Sequence, residues 1–136
     1  NVGEKIEPEY KKWFQIVYDA REDARQFIQA RLDAGEKVRG YEVDRRLKER
    51  FEQLGCAQYL MHRTGHNIGH RCHGIGANLD DYETHDDRCL LPGTMFSIEP
   101  GLYTDKYGVR LEYDVHITSE GETKVYGPVQ DEILVI

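Results

Sequence analysis

The sequence has no apolar run approaching 20 residues, and its amino terminus lacks a charged stretch followed by an apolar one. A membrane-spanning helix needs about 20 mostly apolar residues in a row, and a secretory signal needs that charged-then-apolar order. We therefore expect a cytoplasmic protein that has no membrane partner.

Cysteine and positive charge are also scarce. The three cysteines, Cys56, Cys72 and Cys89, are odd in number and lack Cys-x-x-Cys spacing, so we expect free thiols rather than a disulfide framework or a thiolate zinc site. A catalytic Cys72 is the less favoured alternative. The 18 basic residues are outnumbered by 25 acidic ones, for a net charge of −7, which argues against a nucleic-acid partner.

Two signatures of other enzyme classes are missing as well. The sequence contains no Gly-x-Ser-x-Gly nucleophile elbow and no Gly-Lys-Ser/Thr loop for phosphate binding. A serine hydrolase and a P-loop nucleotide-binding protein are therefore disfavoured. Its 136 residues are ample for one domain and too few for two ordinary ones, so residues 1–136 are expected to form a single domain.

The amino-terminal part has the apolar spacing of helices. A stripe at intervals of three and four begins after Pro8 and stops at Gly35, and a shorter one runs from Val43 to Leu54 and stops at Gly55. These patterns predict two amphipathic helices. Their charged residues, including the run 44–50, are expected to form solvated faces without a chemical role.

The carboxyl-terminal part has the alternation and turn signals of strands. Together with the helices it predicts an α+β fold, in which two amino-terminal helices precede a mostly antiparallel sheet. A brief apolar stretch at 56–61 is a further, weaker strand candidate. The main candidates are Thr94–Ile98, the alternating segment Gly108–Thr118, Thr123–Tyr126 and the segment Val129–Ile136.

The fifteen residues from His62 to Gly76 hold four histidines and four glycines. Each glycine costs roughly 1 kcal/mol relative to alanine inside a helix, so an irregular loop is predicted. Histidine is a common metal ligand and the usual acid or base near neutral pH, which makes this loop the expected functional site. The acidic segment 78–88 lacks the spacing of a calcium loop and is expected to be solvated.

Two glutamates complete a candidate metal site. Glu99 ends a predicted strand before Pro100-Gly101, and Glu112 lies on the polar face of the alternating segment. A histidine and two carboxylates are donors that divalent metals bind. A hydrolytic centre is therefore predicted, in which a metal-activated water attacks, a carboxylate moves its proton and a neutral histidine stabilises the developing oxyanion.

The order of these motifs resembles that of a known family. The segment His62-Arg-Thr-Gly-His-Asn-Ile-Gly69 is followed by His73, by Glu99-Pro-Gly-Leu-Tyr103 and by Gly108-Val-Arg-Leu-Glu112. This order is similar to that of the pita-bread metallopeptidases, which include Xaa-Pro aminopeptidase, prolidase and methionine aminopeptidase. The resemblance runs through essentially the whole chain and favours the Xaa-Pro branch.

This resemblance implies a site for two divalent ions, manganese, cobalt, zinc or iron, and a peptide substrate cleaved next to proline. The implied metal ligands are His66, Glu99 and Glu112, with Glu112 bridging and Glu99 moving the proton. The implied catalytic residues are His62, His73, Glu99 and Arg110, and the implied substrate-binding residues are His62, His73 and Tyr103. Asn67, which replaces a glycine of the family, is expected to be a small change.

The family takes two further ligands, both aspartates, from strands that precede the first helix. We therefore expect a carboxyl-terminal part of a catalytic domain, a poor catalyst alone, which binds at most one metal. Its open sheet edge is expected to favour a homodimer or association with the missing amino-terminal part. Asp114, two residues beyond Glu112, is a weaker candidate for a substitute ligand.

Two alternatives stay open from the sequence. Some pita-bread relatives are non-catalytic modules that bind peptides or proteins, but such relatives tend to lose the metal ligands that are filled here. A structural zinc site at His66, His70 and His73 is the other alternative, and it needs a helix that the loop glycines disfavour.

Overall fold

The computed structural model describes residues 5–135 of the chain. Two helices come first, α1 at Pro8–Asp33 and α2 at Gly40–Gln53. Pro8 suits the first position of α1 because its missing N–H would have had no partner there. Gly35 and Gly55 follow the helices with φ of 70° and 68°, values that glycine adopts without steric cost.

Within residues 5–135, six strands form two antiparallel sheets. The larger sheet has the order β1, β2, β5, β6 and the smaller one pairs β3 with β4. The strands are β1 Asn67–Ile68, β2 Met95–Ile98, β3 Gly101–Tyr103, β4 Gly108–Arg110, β5 Tyr113–Ile117 and β6 Thr123–Tyr126. The predicted order of two helices followed by an antiparallel sheet is therefore confirmed.

The core lies between α1 and the sheets. Val17, Ala20, Ala24 and Ile28 of α1 are fully buried, at the three- and four-residue spacing that the sequence predicts. Neither helix among residues 5–135 combines the length and the apolarity that crossing a bilayer requires.

The predicted continuous strand Gly108–Thr118 is wrong at its centre. β4 and β5 belong to different sheets, and the chain crosses between them at Leu111 and Glu112. The Leu111 N–H donates to Pro100 O at 3.4 Å, outside both ladders. Alternating burial continues through the crossing because Val109, Leu111 and Tyr113 are all buried, so the sequence pattern conceals it.

Two other strand predictions, the weaker one at 56–61 and the one at 129–136, are also wrong within the described residues. Residues 56–61 contain a 3₁₀ turn at Ala57–Tyr59, in which the Tyr59 N–H donates to Cys56 O at 3.0 Å. Residues 129–135 form no strand, because the chain turns away at Gly127 with φ of 84° and leaves β6 at the sheet edge. Ile136 lies outside the described residues.

Candidate metal centre

His66, Glu99 and Glu112 converge at one place in the fold. One donor atom from each lies within 4.8 Å of the other two, and His66 Nε2 is 3.5 Å from Glu99 Oε1. His66 and Glu99 are shielded from solvent, whereas Glu112 is exposed. The three residues come from the histidine loop, the end of β2 and the crossing between β4 and β5.

Backbone pairing positions the first two donors. The Ser97 N–H donates to His66 O at 2.9 Å, and the Glu99 N–H donates to Thr64 O at 2.7 Å. The Ser97 hydroxyl accepts the His66 N–H at 3.0 Å and donates to Glu99 Oε1 at 3.2 Å. One buried hydroxyl therefore links the imidazole-bearing loop to the carboxylate at the end of β2.

The His66 ring presents a single free nitrogen. Its Nδ1 lies 3.1 Å from Asn67 O, and a carbonyl oxygen only accepts hydrogen bonds, so the ring proton is on Nδ1. The Nε2 lone pair is left to face Glu99. A backbone carbonyl that holds one imidazole nitrogen commonly fixes the other as a metal donor.

The electrostatics of the cluster suit a cation. Although Glu112 is exposed as a residue, partial desolvation of its carboxyl raises its pKa, and the neighbouring Glu99 carboxylate raises it further. Arg110 Nη1 lies 3.7 Å from Glu99 Oε2 on its exposed side, so one guanidinium stands beside two carboxylates. A divalent ion would neutralise the remaining charge, and the imidazole nitrogen with two carboxylates is a donor set that such ions take.

His62 and Tyr103 form a pair of their own. His62 Nδ1 is 2.7 Å from Arg63 O, so the proton is on Nδ1 and the Tyr103 hydroxyl donates to Nε2 at 2.9 Å. A side chain at Gly101 would lie 2.8 Å from His62 Nε2 and 2.9 Å from the Tyr103 hydroxyl, so Gly101 gives the pair its room. Gly101 is the register partner of Arg110, the residue whose guanidinium lies 3.7 Å from Glu99.

The histidine loop divides into two halves. The inner half, residues 64–68, is mostly buried, and the outer half, residues 69–76, is mostly exposed. His73 of the outer half is exposed, yet its ring centroid lies 4.3 Å from that of His66. The structure thus brings His73 beside His66, one of the three candidate metal donors.

Asn67 joins the two halves and is therefore more than the small change that was expected from its replacement of a glycine. It donates through Nδ2 to Met95 O at 3.0 Å and accepts the Gly76 N–H on Oδ1 at 3.0 Å. Its carbonyl accepts the Gly74 N–H at 2.8 Å. A side chain at Gly74 or Gly76 would collide with the Asn67 amide, so these glycines accommodate the asparagine.

The described residues do not bring together His66, His70 and His73, the histidines of the alternative zinc site. Among the described residues, the second group of donors within 4.8 Å consists of His66, Cys72 and His73. His70 belongs to neither group, and no helix forms in residues 62–76. Asp114 and the acidic residues of 80–87 are likewise outside both groups.

Asp44 supports the site, which sequence reasoning missed by assigning the charged run of α2 to a solvated face. Its side chain is buried, and Oδ1 accepts the Thr64 N–H at 2.8 Å and the Thr64 hydroxyl at 2.6 Å. Oδ2 accepts the Asp81 N–H at 2.7 Å. Burial raises the pKa of Asp44 despite these hydrogen bonds. Its position on the buried side of α2, between Val43 and Leu47, was the available signal.

The acidic segment 78–88 is only partly solvated, contrary to expectation. Asp80 and Asp86 are buried. Asp80 Oδ1 accepts three successive backbone N–H groups, from residues 82, 83 and 84, at 2.8 to 3.1 Å. Arg88 bonds both carboxylate oxygens of Asp86 and lowers the pKa of Asp86. These two aspartates fold the segment on itself, and two backbone hydrogen bonds between Leu79 and Gly65 join it to the inner half of the loop.

The sequence model of metallopeptidase family M24 matches residues 1–119. The chain belongs to metallopeptidase family M24. This match confirms the family that the order of the histidine and glutamate motifs predicts.

Curated relatives and solved structures agree with the assignment. Probable dipeptidase PepE of Mycobacterium tuberculosis is 36% identical over 90 residues, which cover 65% of this chain and 23% of the relative. Xaa-Pro dipeptidase of Lactobacillus helveticus is 31% identical over 110 residues, or 77% of this chain and 27% of the relative. The chain thus spans about a quarter of the length of these relatives.

Two crystal structures match nearly the whole chain. A dipeptidase from Pyrococcus horikoshii aligns with a TM-score of 0.81 and 28% identity. The alignment covers 99% of this chain and 35% of the dipeptidase chain. An X-Pro aminopeptidase from Thermotoga maritima gives a TM-score of 0.81, 27% identity and the same coverage. The expected fold, part of a pita-bread fold, is therefore confirmed.

Proposed function

We propose that this protein hydrolyses peptide bonds next to proline and uses a divalent metal held by His66, Glu99 and Glu112. The observation that carries the proposal is the convergence of these three donors within 4.8 Å of one another. The names of the relatives, which include dipeptidases and an Xaa-Pro dipeptidase, support the choice of a peptide substrate.

A divalent ion bound there would supply Lewis acidity and would lower the pKa of a bound water. The residues of the chain provide the rest. Glu99 is oriented by the Ser97 hydroxyl and Arg110, so its carboxylate can accept a proton from the attacking water and return it to the departing amine. His66 keeps its proton on Nδ1, away from the ligand position.

The histidines at the edge are proposed to bind the substrate. His73 stands beside the His66 ring on the exposed side, where it can donate to the carbonyl oxygen that gains charge during attack. The His62–Tyr103 pair presents a hydroxyl and an imidazole next to Arg110. We assign this pair to holding the peptide in register and the Arg110 guanidinium to holding Glu99.

The test measures hydrolysis of matched Xaa-Pro and Xaa-Ala dipeptides by the gene product that contains this sequence. We expect a preference for Xaa-Pro and loss of activity with a chelator. Glu112→Gln should lower both metal affinity and kcat/KM by more than the 10- to 100-fold typical of losing an outer partner of a ligand.

Glu52→Gln, at an exposed residue of α2, is the matched control and should keep the activity of the parent. Full activity in Glu112→Gln would overturn the metal assignment. Equal rates on the two dipeptides would overturn the proline specificity. Tight peptide binding without hydrolysis would favour the non-catalytic alternative.

A further inference from the structure

Cys72 is the one residue of the two donor groups that the proposed hydrolysis does not use. Its thiol is free and exposed, and its sulfur lies within 4.8 Å of donor nitrogens of both His66 and His73. Two imidazoles and a thiol that converge in this way form a donor set for zinc-like ions, whereas carboxylates suit harder ions.

We infer that His66, Cys72 and His73 form a second metal site, selective for thiophilic divalent ions such as Zn²⁺ and Cd²⁺. Nitrogen and sulfur atoms bound to one tetrahedral zinc at about 2.0 to 2.3 Å lie about 3.5 Å apart. The donor atoms lie within 4.8 Å of one another, so the required contraction is at most about 1.3 Å. Cys72 and His73 are exposed in the glycine-containing outer half, so they can make this adjustment while His66 stays in place.

The two sites exclude each other at His66. Its Nδ1–H is engaged by Asn67 O, so a single nitrogen remains to bind a metal. An ion held by Cys72 and His73 therefore removes the imidazole from the carboxylate site. Binding also displaces the thiol proton into water.

The next step rests on the proposed function. A thiophilic ion at this site inhibits peptide hydrolysis, because it occupies the His66 nitrogen that would bind the catalytic metal and the His73 imidazole that would contact the substrate. A harder ion such as Mn²⁺ binds the carboxylates and leaves the thiol free. The site thus makes the protein sensitive to the balance between the two kinds of ion.

The direct test is a titration of the metal-free gene product with Cd²⁺, followed by ultraviolet absorption. We expect a thiolate-to-metal charge-transfer band that Cys72→Ser abolishes, with Cd²⁺ affinity reduced at least tenfold. Cys89→Ser is the matched control and should retain the band, as should Glu112→Gln. Circular dichroism verifies that each variant is folded, and Cys72→Ala provides a second substitution at the exposed position.

A band that persists in both Cys72 variants would overturn the site, whatever the protein hydrolyses. The activity arm is separate from this result. Zn²⁺ inhibition of the Mn²⁺-loaded protein should weaken at least tenfold in Cys72→Ser, with unchanged activity when Zn²⁺ is absent. A band without any peptidase activity would retain the thiol site and reject the proposed function.

Discussion

The inner and outer halves of the histidine loop each bring residues to the candidate metal centre, but they are held in place by different contacts. The inner half is tied to elements on both sides: Gly65 exchanges two backbone hydrogen bonds with Leu79, at 3.2 and 3.0 Å, and residues 64 and 66 accept from Glu99 and Ser97. The outer half is held by Asn67, and Ile75 near its end is 97% exposed.

One loop therefore offers two kinds of candidate metal ligand, a fixed one in the inner half and adjustable ones in the outer half. His66 is fixed by buried hydrogen bonds, so its position changes little when an ion binds. His73 and Cys72 lie where few backbone groups are paired, and such segments open at low free-energy cost. A rigid donor next to adjustable ones allows two ions of different size and softness to compete for one imidazole.

The largest effect is expected from Gly65→Ala in the inner half. A Cβ there would overlap the Ser97 carbonyl oxygen and lie 2.9 Å from its carbon. These atoms belong to the centre of a paired strand and cannot retreat. We expect a loss of about 3 kcal/mol in the free energy of unfolding, measured by urea denaturation of the metal-free protein.

Gly69→Ala in the outer half is the control for this substitution. The nearest heavy atom to a Cβ at Gly69 is 3.5 Å away, and neither glycine has a positive φ. The expected change is within about 0.5 kcal/mol. Equal losses in the two variants would show that the halves do not differ in constraint.

The second prediction concerns the buried support of the inner half. Asp44→Asn puts an NH₂ group against N–H donors of Thr64 or Asp81, because both carboxylate oxygens accept hydrogen bonds. The expected loss in the free energy of unfolding is about 1 to 3 kcal/mol. Asp87→Asn, on an exposed residue of the acidic segment, should leave the unfolding midpoint where it is, and a comparable shift there would contradict the role of Asp44.

Local sequence signals predicted the helices and singled out His66, Glu99 and Glu112, the three residues proposed to bind metal. Pro8, Gly35 and Gly55 act through their own backbone preferences, so the helix ends are visible without tertiary information. Glu99 and Glu112 were identified by motif order as well as by strand position. Their convergence with His66 in the structure agrees with that identification.

Features that depend on distant partners were not predictable. Asp44 contacts residues 20 and 37 positions away; its place in the apolar stripe of α2 indicates burial, but it does not indicate which residues the carboxylate binds. The crossing between β4 and β5 was hidden because burial alternates on both sides of it. Asn67 was underestimated because its amide bonds Met95 and Gly76, which are distant in sequence.

A smaller effect is expected from Asn67→Gly, which removes the side chain joining the two halves. The Gly76 N–H loses its acceptor, Asn67 Oδ1, at 3.0 Å. A net hydrogen-bond loss of about 1 kcal/mol corresponds to roughly fivefold faster amide exchange at Gly76. Hydrogen exchange followed by NMR should show little change at Leu79, whose N–H donates to Gly65 in the inner half; equal acceleration at both amides would mean that the loop opens as one unit.

The smallest expected effect is a difference between the pKa values of Asp44 and Asp81. These residues are joined by a hydrogen bond from the Asp81 N–H to Asp44 Oδ2 at 2.7 Å. Burial raises the pKa of Asp44 above its usual range. The His85 imidazole, helped by Arg45, lowers the pKa of Asp81 below that range. Carbon-13 NMR titration of the side-chain carboxyls should therefore find Asp44 titrating at the higher pH.

These opposite shifts give opposite contributions to stability. The folded state binds the Asp44 proton more tightly than the unfolded state does, so this contribution is full below the unfolded pKa and is lost as pH rises through the folded pKa. The Asp81 contribution is present above its unfolded pKa and is lost as pH falls through its folded pKa. On acidification, the free energy of unfolding of the parent should therefore rise relative to Asp44→Asn and fall relative to Asp81→Asn. Because Asp81 is partly exposed, solvent screening limits the change in its contribution to the free energy of unfolding to less than about 1 kcal/mol. Slopes of the same sign for the two variants would show that burial does not control the pKa of Asp44.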